Sequence, residues 1–179
     1  MTAGLIDEGA GPYDSQAFRA ALEDDSIRLG LDADRDAISI ELKTLSAHRD
    51  KAFELLRLAL TGPRFDDEPV ARIRSQIQAD LRRRVSDPDH LASRAWHELA
   101  FAGHAYAHSV RGTPESVARI DVAAMRGLMA ARFGRDRLSV GVSGDIEAEE
   151  LAEALDHVFG ELPAEGGPVA GPPVMPRTG

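Results

Sequence analysis

Residues 27–60, IRLGLDADRDAISIELKTLSAHRDKAFELLRLAL, decide the fold, because within them the spacing of apolar residues changes from two to about 3.6. Ile27, Leu29 and Leu31 alternate with polar neighbours, and after the polar connector Asp32–Asp36 the alternation resumes as Ile38, Ile40 and Leu42. Two such runs joined by a short polar segment predict an antiparallel hairpin with one buried face. Ser46 is then placed to cap a helix in which Ala52, Leu55, Leu56, Ala59 and Leu60 form an apolar stripe, stopped by Gly62-Pro63.

Upstream, Asp14 or Ser15 can cap a helix carrying Phe18, Ala21 and Leu22, which ends in the acidic run Glu23-Asp24-Asp25. Before it, Gly9, Gly11 and Pro12 break regular structure and mark an entry loop. Downstream, Asp66 or Asp67 with Glu68-Pro69 starts a helix whose stripe is Val70, Ile73, Ile77, Leu81 and Val85. Asp87-Pro88 closes it, and a further helix from about residue 89 to 102 carries Leu91, Ala95, Leu99 and Ala102 on one face. A loop through His104, Tyr106 and His108 leads to Thr113-Pro114, a short capped turn, and Asp121 caps a helix with Met125, Leu128, Met129 and Phe133. Leu138, Val140 and Val142 alternate as a third strand, and Leu151, Leu155, Val158 and Phe159 mark the last helix.

This order is α+β, with helices packed on one face of a mainly antiparallel sheet. Three strands are few, since sheets usually hold about 4 to 6, so a partner or further sequence is expected to supply others. The expected organisation is one domain over residues 1–163. A Gly/Pro-rich linker, 164–179, follows it toward a missing second domain.

With 21 basic against 30 acidic residues, a net charge of −9 and a pI near 5.1, the 179-residue chain lacks the basic face that a nucleic-acid partner requires. The Arg82–Arg84 run reads as a solvated helix face. No cysteine is present, so disulfides and thiolate metal sites are excluded. No apolar run is long enough for membrane insertion. The composition is that of a soluble protein, and the compartment, periplasm or cytoplasm, stays open.

Several segments occur together in one order. They are Phe65-Asp66-Asp67-Glu68; the long helix to Asp87-Pro88-Asp89; His104-Ala105-Tyr106; Gly112 through Val117; and Phe133 through Ile146, which contains Gly134-Arg135-Asp136-Arg137-Leu138 and Ser143-Gly144-Asp145. In combination, over residues 1–163, the chain resembles the pitrilysin/insulinase family, inverted zinc metallopeptidases that include the mitochondrial processing peptidases. The resemblance implies one of the repeated α+β halves that enclose a chamber. Active members carry H-x-x-E-H, whose histidines bind zinc while the glutamate activates water, and a distant glutamate completes the site.

Aligned on Leu5 through Gly11, the motif falls at the start of the chain, with Ala3 at the glutamate position and Gly4 at the second histidine. No H-x-x-E-H occurs anywhere. Near the third-ligand position stands Asp80, either a remnant ligand or an ion-pair partner of Arg83 or Arg84 at helical spacing. His97-Glu98 is a near miss to H-E-x-x-H, with Phe101 where the second histidine belongs. An alternative metal set of His97, His104 and His108 is weighed against a surface histidine and a polar loop. Ser143 lacks a G-x-S-x-G elbow, and Gly9-Ala10-Gly11 lacks the lysine of a phosphate loop, so both read as turns.

The resemblance therefore implies no catalytic residue and no zinc in this fragment. Its partners would be a homologous active metallopeptidase subunit and an unfolded peptide substrate held in the shared chamber. The alternatives are an active zinc endopeptidase whose motif lies outside the fragment, and a structural scaffold.

Overall fold

The computed structural model describes residues 1–167. The entry segment makes a 3-10 turn at Ala3–Leu5 and runs into helix α1 (Ser15–Asp24). The hairpin β1 (Arg28–Ala33) and β2 (Ile38–Lys43) follows, then α2 (Arg49–Thr61), α3 (Asp67–Arg84) and α4 (Pro88–Ala100). The chain ends its described course through α5 (Pro114–Ala118), α6 (Val122–Arg132) and α7 (Ala148–Phe159). The result is α+β, with helices gathered on one face of an antiparallel hairpin.

The hairpin is the expected one. Leu29 pairs with Leu42 and Leu31 with Ile40, which puts four apolar side chains on one face against the helices. The turn is fixed by Asp34, whose Oδ1 accepts from the backbone N–H of Asp36 at 2.7 Å and of Ala37 at 2.8 Å. The whole predicted stripe of α2 is buried, and it divides between two packed clusters. Ala52, Leu55 and Ala59 meet Leu5, Ile6, Phe18, Met125 and Met129, whereas Leu56 and Leu60 meet Val158 of α7 and Leu162. Thus α2 is the central element of the core.

Capping follows the residues foreseen at three helices. Asp14 accepts from Ala17 N–H, Asp121 accepts from Ala124 N–H, and Thr113 with Ser116 forms a reciprocal capping box at α5. At α2 the expectation fails: Ser46 opens a 3-10 turn, Ser46–His48, and the N-cap position belongs to His48. The Ser46 hydroxyl instead lies 3.4 Å from the Asp145 carboxylate.

Three further expectations are corrected. Val85 is 70% exposed, because it is the C-cap residue just beyond α3 and the last covered position of the stripe is Leu81 in the final turn. In α4 no residue is buried; Leu91 and Leu99 face outward, with Trp96 beside them. Residues 138–142 form no ladder, so the sheet has two strands among the described residues. Alternating side chains alone do not make a strand, because the backbone N–H and C=O groups need a neighbour in register. Leu138, Val140 and Val142 are all more than two-fifths exposed.

The first residues of the expected linker are held in place. Carbonyls of Pro163 and Ala164 accept from the N–H groups of Arg135 and Asp136, and Gly167 N–H donates to Ala131 O at 2.6 Å. The remainder of that segment, 168–179, lies outside the described residues.

Candidate functional site

The motif-aligned residues sit in the entry turn. Gly4 N–H donates to Met1 O at 3.1 Å and Leu5 N–H to Thr2 O at 3.0 Å, which closes the 3-10 turn and drives Leu5 and Ile6 into the core. A Cβ on Gly4 would stand 3.8 Å from Ile73 Cγ2, so this turn faces α3. Neither Ala3 nor Gly4 carries a side-chain donor atom. A zinc ion requires nitrogen, oxygen or sulfur ligands at about 2.0–2.3 Å, so these two positions do not fit the metal.

Asp80 lies on α3 seven residues beyond Ile73, about 10 Å along the axis at the helical rise and on nearly the same face. Its carboxylate is shared among three arginines: Arg84 at 2.9 Å, Arg83 at 3.3 Å and Arg111 at 3.3 Å. The Arg84 hydrogen bond, aided by the other two guanidiniums, holds this carboxyl below its ordinary value. The ion pairs at helical spacing are therefore formed, and Arg111 adds a tie from a distant loop.

A more deeply buried charge stands at Glu8, which is 4% exposed. It accepts from Ser15 Oγ at 2.6 Å, from Arg72 Nη2 at 2.5 Å and from Arg19. Burial pushes the carboxyl up, but the serine and the two guanidiniums outweigh it and leave the group below its ordinary value. Burial pushes neighbouring Asp7 up. This node fastens the entry turn to α1 and α3. Arg72 is 64 residues away in sequence. Only the incongruity of an acidic pair between Leu5-Ile6 and Gly9 marks it in advance.

The three histidines weighed as ligands take separate roles. His97 Nδ1 lies 2.8 Å from Ser93 O, and since a carbonyl only accepts, that nitrogen carries the proton. His104 caps the 3-10 turn Ala105–Ala107 by accepting from Tyr106 N–H, and its ring stands edge-on to Tyr106 at 4.7 Å. Among the described residues, no three His, Cys, Asp or Glu side chains gather as a metal site. Ser143-Gly144-Asp145 is a turn with Gly144 at φ 151°, and Ala10 between its glycines bridges to both Tyr13 and Pro63. Both segments are turns, as the sequence indicates.

His97 and His108 do share a concavity that sequence reasoning did not identify. It has a volume of about 160 Å³ and lies between α4, the end of α3 and residues 107–111, with Arg35 entering from the hairpin turn. A larger, mixed-charge hollow of about 440 Å³ lies between α1 and the hairpin, where Arg19, Glu23, Arg28, Glu41 and Lys43 surround it. Among the described residues, no helix is long and apolar enough to cross a membrane.

No family model matches the chain. The chain is 27% identical over 163 residues to the non-peptidase homolog YmxG of Helicobacter pylori, covering 91% of this chain and 38% of that protein. It is 22% identical over 158 residues to cytochrome b-c1 complex subunit 1 of Bos taurus, covering 88% and 33%. Among solved structures, the inactive domain of an M16 peptidase from Pseudomonas fluorescens superposes with a TM-score of 0.87 at 24% identity, over 94% of this chain and 41% of that one. Pitrilysin superposes with a TM-score of 0.81 at 14% identity, over 99% and 19%. The chain thus spans about a third of the length of the curated relatives it matches. Its homologues and structural neighbours are pitrilysin, or M16, family proteins, and its fold is that family's half-domain.

Proposed function

We propose that this chain is part of a non-catalytic metallopeptidase-like subunit, which pairs with an active, zinc-bearing homologue and helps form a chamber holding an unfolded peptide. The observation that carries the reading is the entry turn, where Ala3 and Gly4 offer no ligand atom within a half-domain fold of this kind. The similarity to a non-peptidase homologue and to an inactive domain supports the non-catalytic role. Pairing draws support from the relative named as a subunit of a larger complex. In this reading residues 1–163 are one half-domain, and 164–179 lead toward a second.

Such a subunit contributes surface and shape. Losing even one zinc ligand cripples hydrolysis, because the bound water then no longer has its pKa lowered to about 7. The test uses the full-length protein, purified alone and together with its homologue. Metal content and cleavage of an unfolded peptide are measured in each case. The expected result is no stoichiometric zinc and no cleavage by the isolated protein, with co-elution of the pair. Tight stoichiometric zinc with hydrolysis by the isolated protein overturns the non-catalytic role, and failure to co-elute overturns the pairing.

A further inference from the structure

The concavity beside α4 carries a charge opposite to that of the chain as a whole. Four guanidiniums, Arg35, Arg84, Arg94 and Arg111, border it, and no aspartate or glutamate lines it among the described residues. Two carboxylates outside the wall offset part of this charge: Asp80 is shared by Arg84 and Arg111, and Glu98 pairs with Arg94 at 2.7 Å. Arg35 has no carboxylate partner among the described residues. Its Nη1 donates to Tyr106 O at 2.9 Å and His108 O at 3.0 Å, and its guanidinium stands 5.8 Å from the Tyr106 ring centroid. Nη1 makes both bonds, so Nε and Nη2 meet no protein acceptor among the described residues. The fork is held in position before any ligand arrives.

We infer that this basic concavity binds the side-chain carboxylates of an acidic segment of the held peptide, an inference that rests on the peptide-holding role proposed above. Its size and surroundings both favour a peptide. About 160 Å³ is below the roughly 300 Å³ at which cofactor pockets begin, and suits one or two carboxylate side chains. The wall is apolar as well as charged: Val110, which lines the hollow, is 56% exposed. A chain of amino acids presents carboxylates and apolar side chains together, which a free anion does not. The arginine fork matches a carboxylate by two parallel N–H bonds. The net charge of −9 opposes this only at long range, since at physiological ionic strength fields are damped beyond about 8 Å.

The experiment measures fluorescence anisotropy of two labelled peptides on the full-length protein, one alternating Glu and Leu, the other Lys and Leu. Inorganic phosphate serves as competitor. The acidic peptide is expected to bind at least roughly tenfold more tightly than the basic one and to weaken as salt rises. The double variant Arg94→Ala, Arg111→Ala should lose roughly tenfold or more of that affinity with an unchanged melting temperature, because both side chains are more than half exposed. Arg35→Lys, which keeps the charge but removes the fork, should weaken binding as well. Equal binding of both peptides, or unchanged affinity in all variants, overturns the inference. So does displacement by phosphate at the peptide's own affinity, which would make the hollow a simple anion site. If acidic-peptide binding fails while the homologue still co-elutes, only this inference falls; if co-elution fails, the pairing falls.

Discussion

Replacing Glu8 by glutamine tests the node that fastens the entry turn to α1 and α3. The carboxylate is 4% exposed and accepts from Ser15, Arg19 and Arg72, so three hydrogen bonds, two of them to guanidiniums, depend on one side chain. Hydrogen bonds to charged groups contribute about 1.5–3 kcal/mol each when buried. Here Arg19 and Arg72 are 49% and 31% exposed and regain water when released, which removes much of that gross value. The amide oxygen of glutamine keeps part of the set, while its NH₂ faces donors. The expected net loss is about 2–3 kcal/mol. For a chain of this length that is about 4–12 °C in melting temperature.

The pH dependence gives the sharper readout. The folded-state value of Glu8 lies below its ordinary 4.5, so its stabilisation is fully present above 4.5 and is lost as pH falls toward the folded value. Urea unfolding of parent and Glu8→Gln should therefore show a constant gap at pH 5–7 that closes in more acidic buffer. A gap below about 0.5 kcal/mol at pH 7, or one that persists unchanged below pH 4, would refute the assignment of Glu8 as a stabilising charged node.

Phe18→Ala removes a fully buried ring from the larger cluster and should cost about 3–5 kcal/mol by chemical denaturation. Gly11→Ala should cost about 1–2 kcal/mol in the same assay, because φ is +53° and the new Cβ would come within 2.8 Å of Leu58 Cδ2. The Glu54 carboxyl is lowered to about 2, chiefly by its hydrogen bond to Arg57, with His157 adding to it. Its contribution is thus present above 4.5 and lost as pH falls toward 2; with 41% of the side chain exposed, Glu54→Gln should change stability at pH 7 by under about 1 kcal/mol.

The hairpin, the α2 stripe and the caps at Asp14, Thr113 and Asp121 were legible because each depends on spacing within a few residues. Val85 and the outward face of α4 continue an apolar pattern beyond the point where anything packs against it, and periodicity does not record where a core ends. The strand reading of 138–142 failed for a related reason: a ladder is a property of two segments, and alternation describes one. At the candidate site, the absence of ligand atoms at Ala3 and Gly4 could be read directly from their chemistry. The Glu8 node and the basic concavity could not, since Arg72 and Arg35 reach their partners across 64 and 71 residues of sequence.

The unladdered row at Leu138, Val140 and Val142 has a colloidal consequence. Exposed apolar side chains with nothing packed on them favour association between copies, and the net charge of −9 opposes it at neutral pH. Near the pI of 5.1 that repulsion vanishes while the row stays exposed. Turbidity of this chain should therefore rise on mild acidification before any loss of helical circular dichroism.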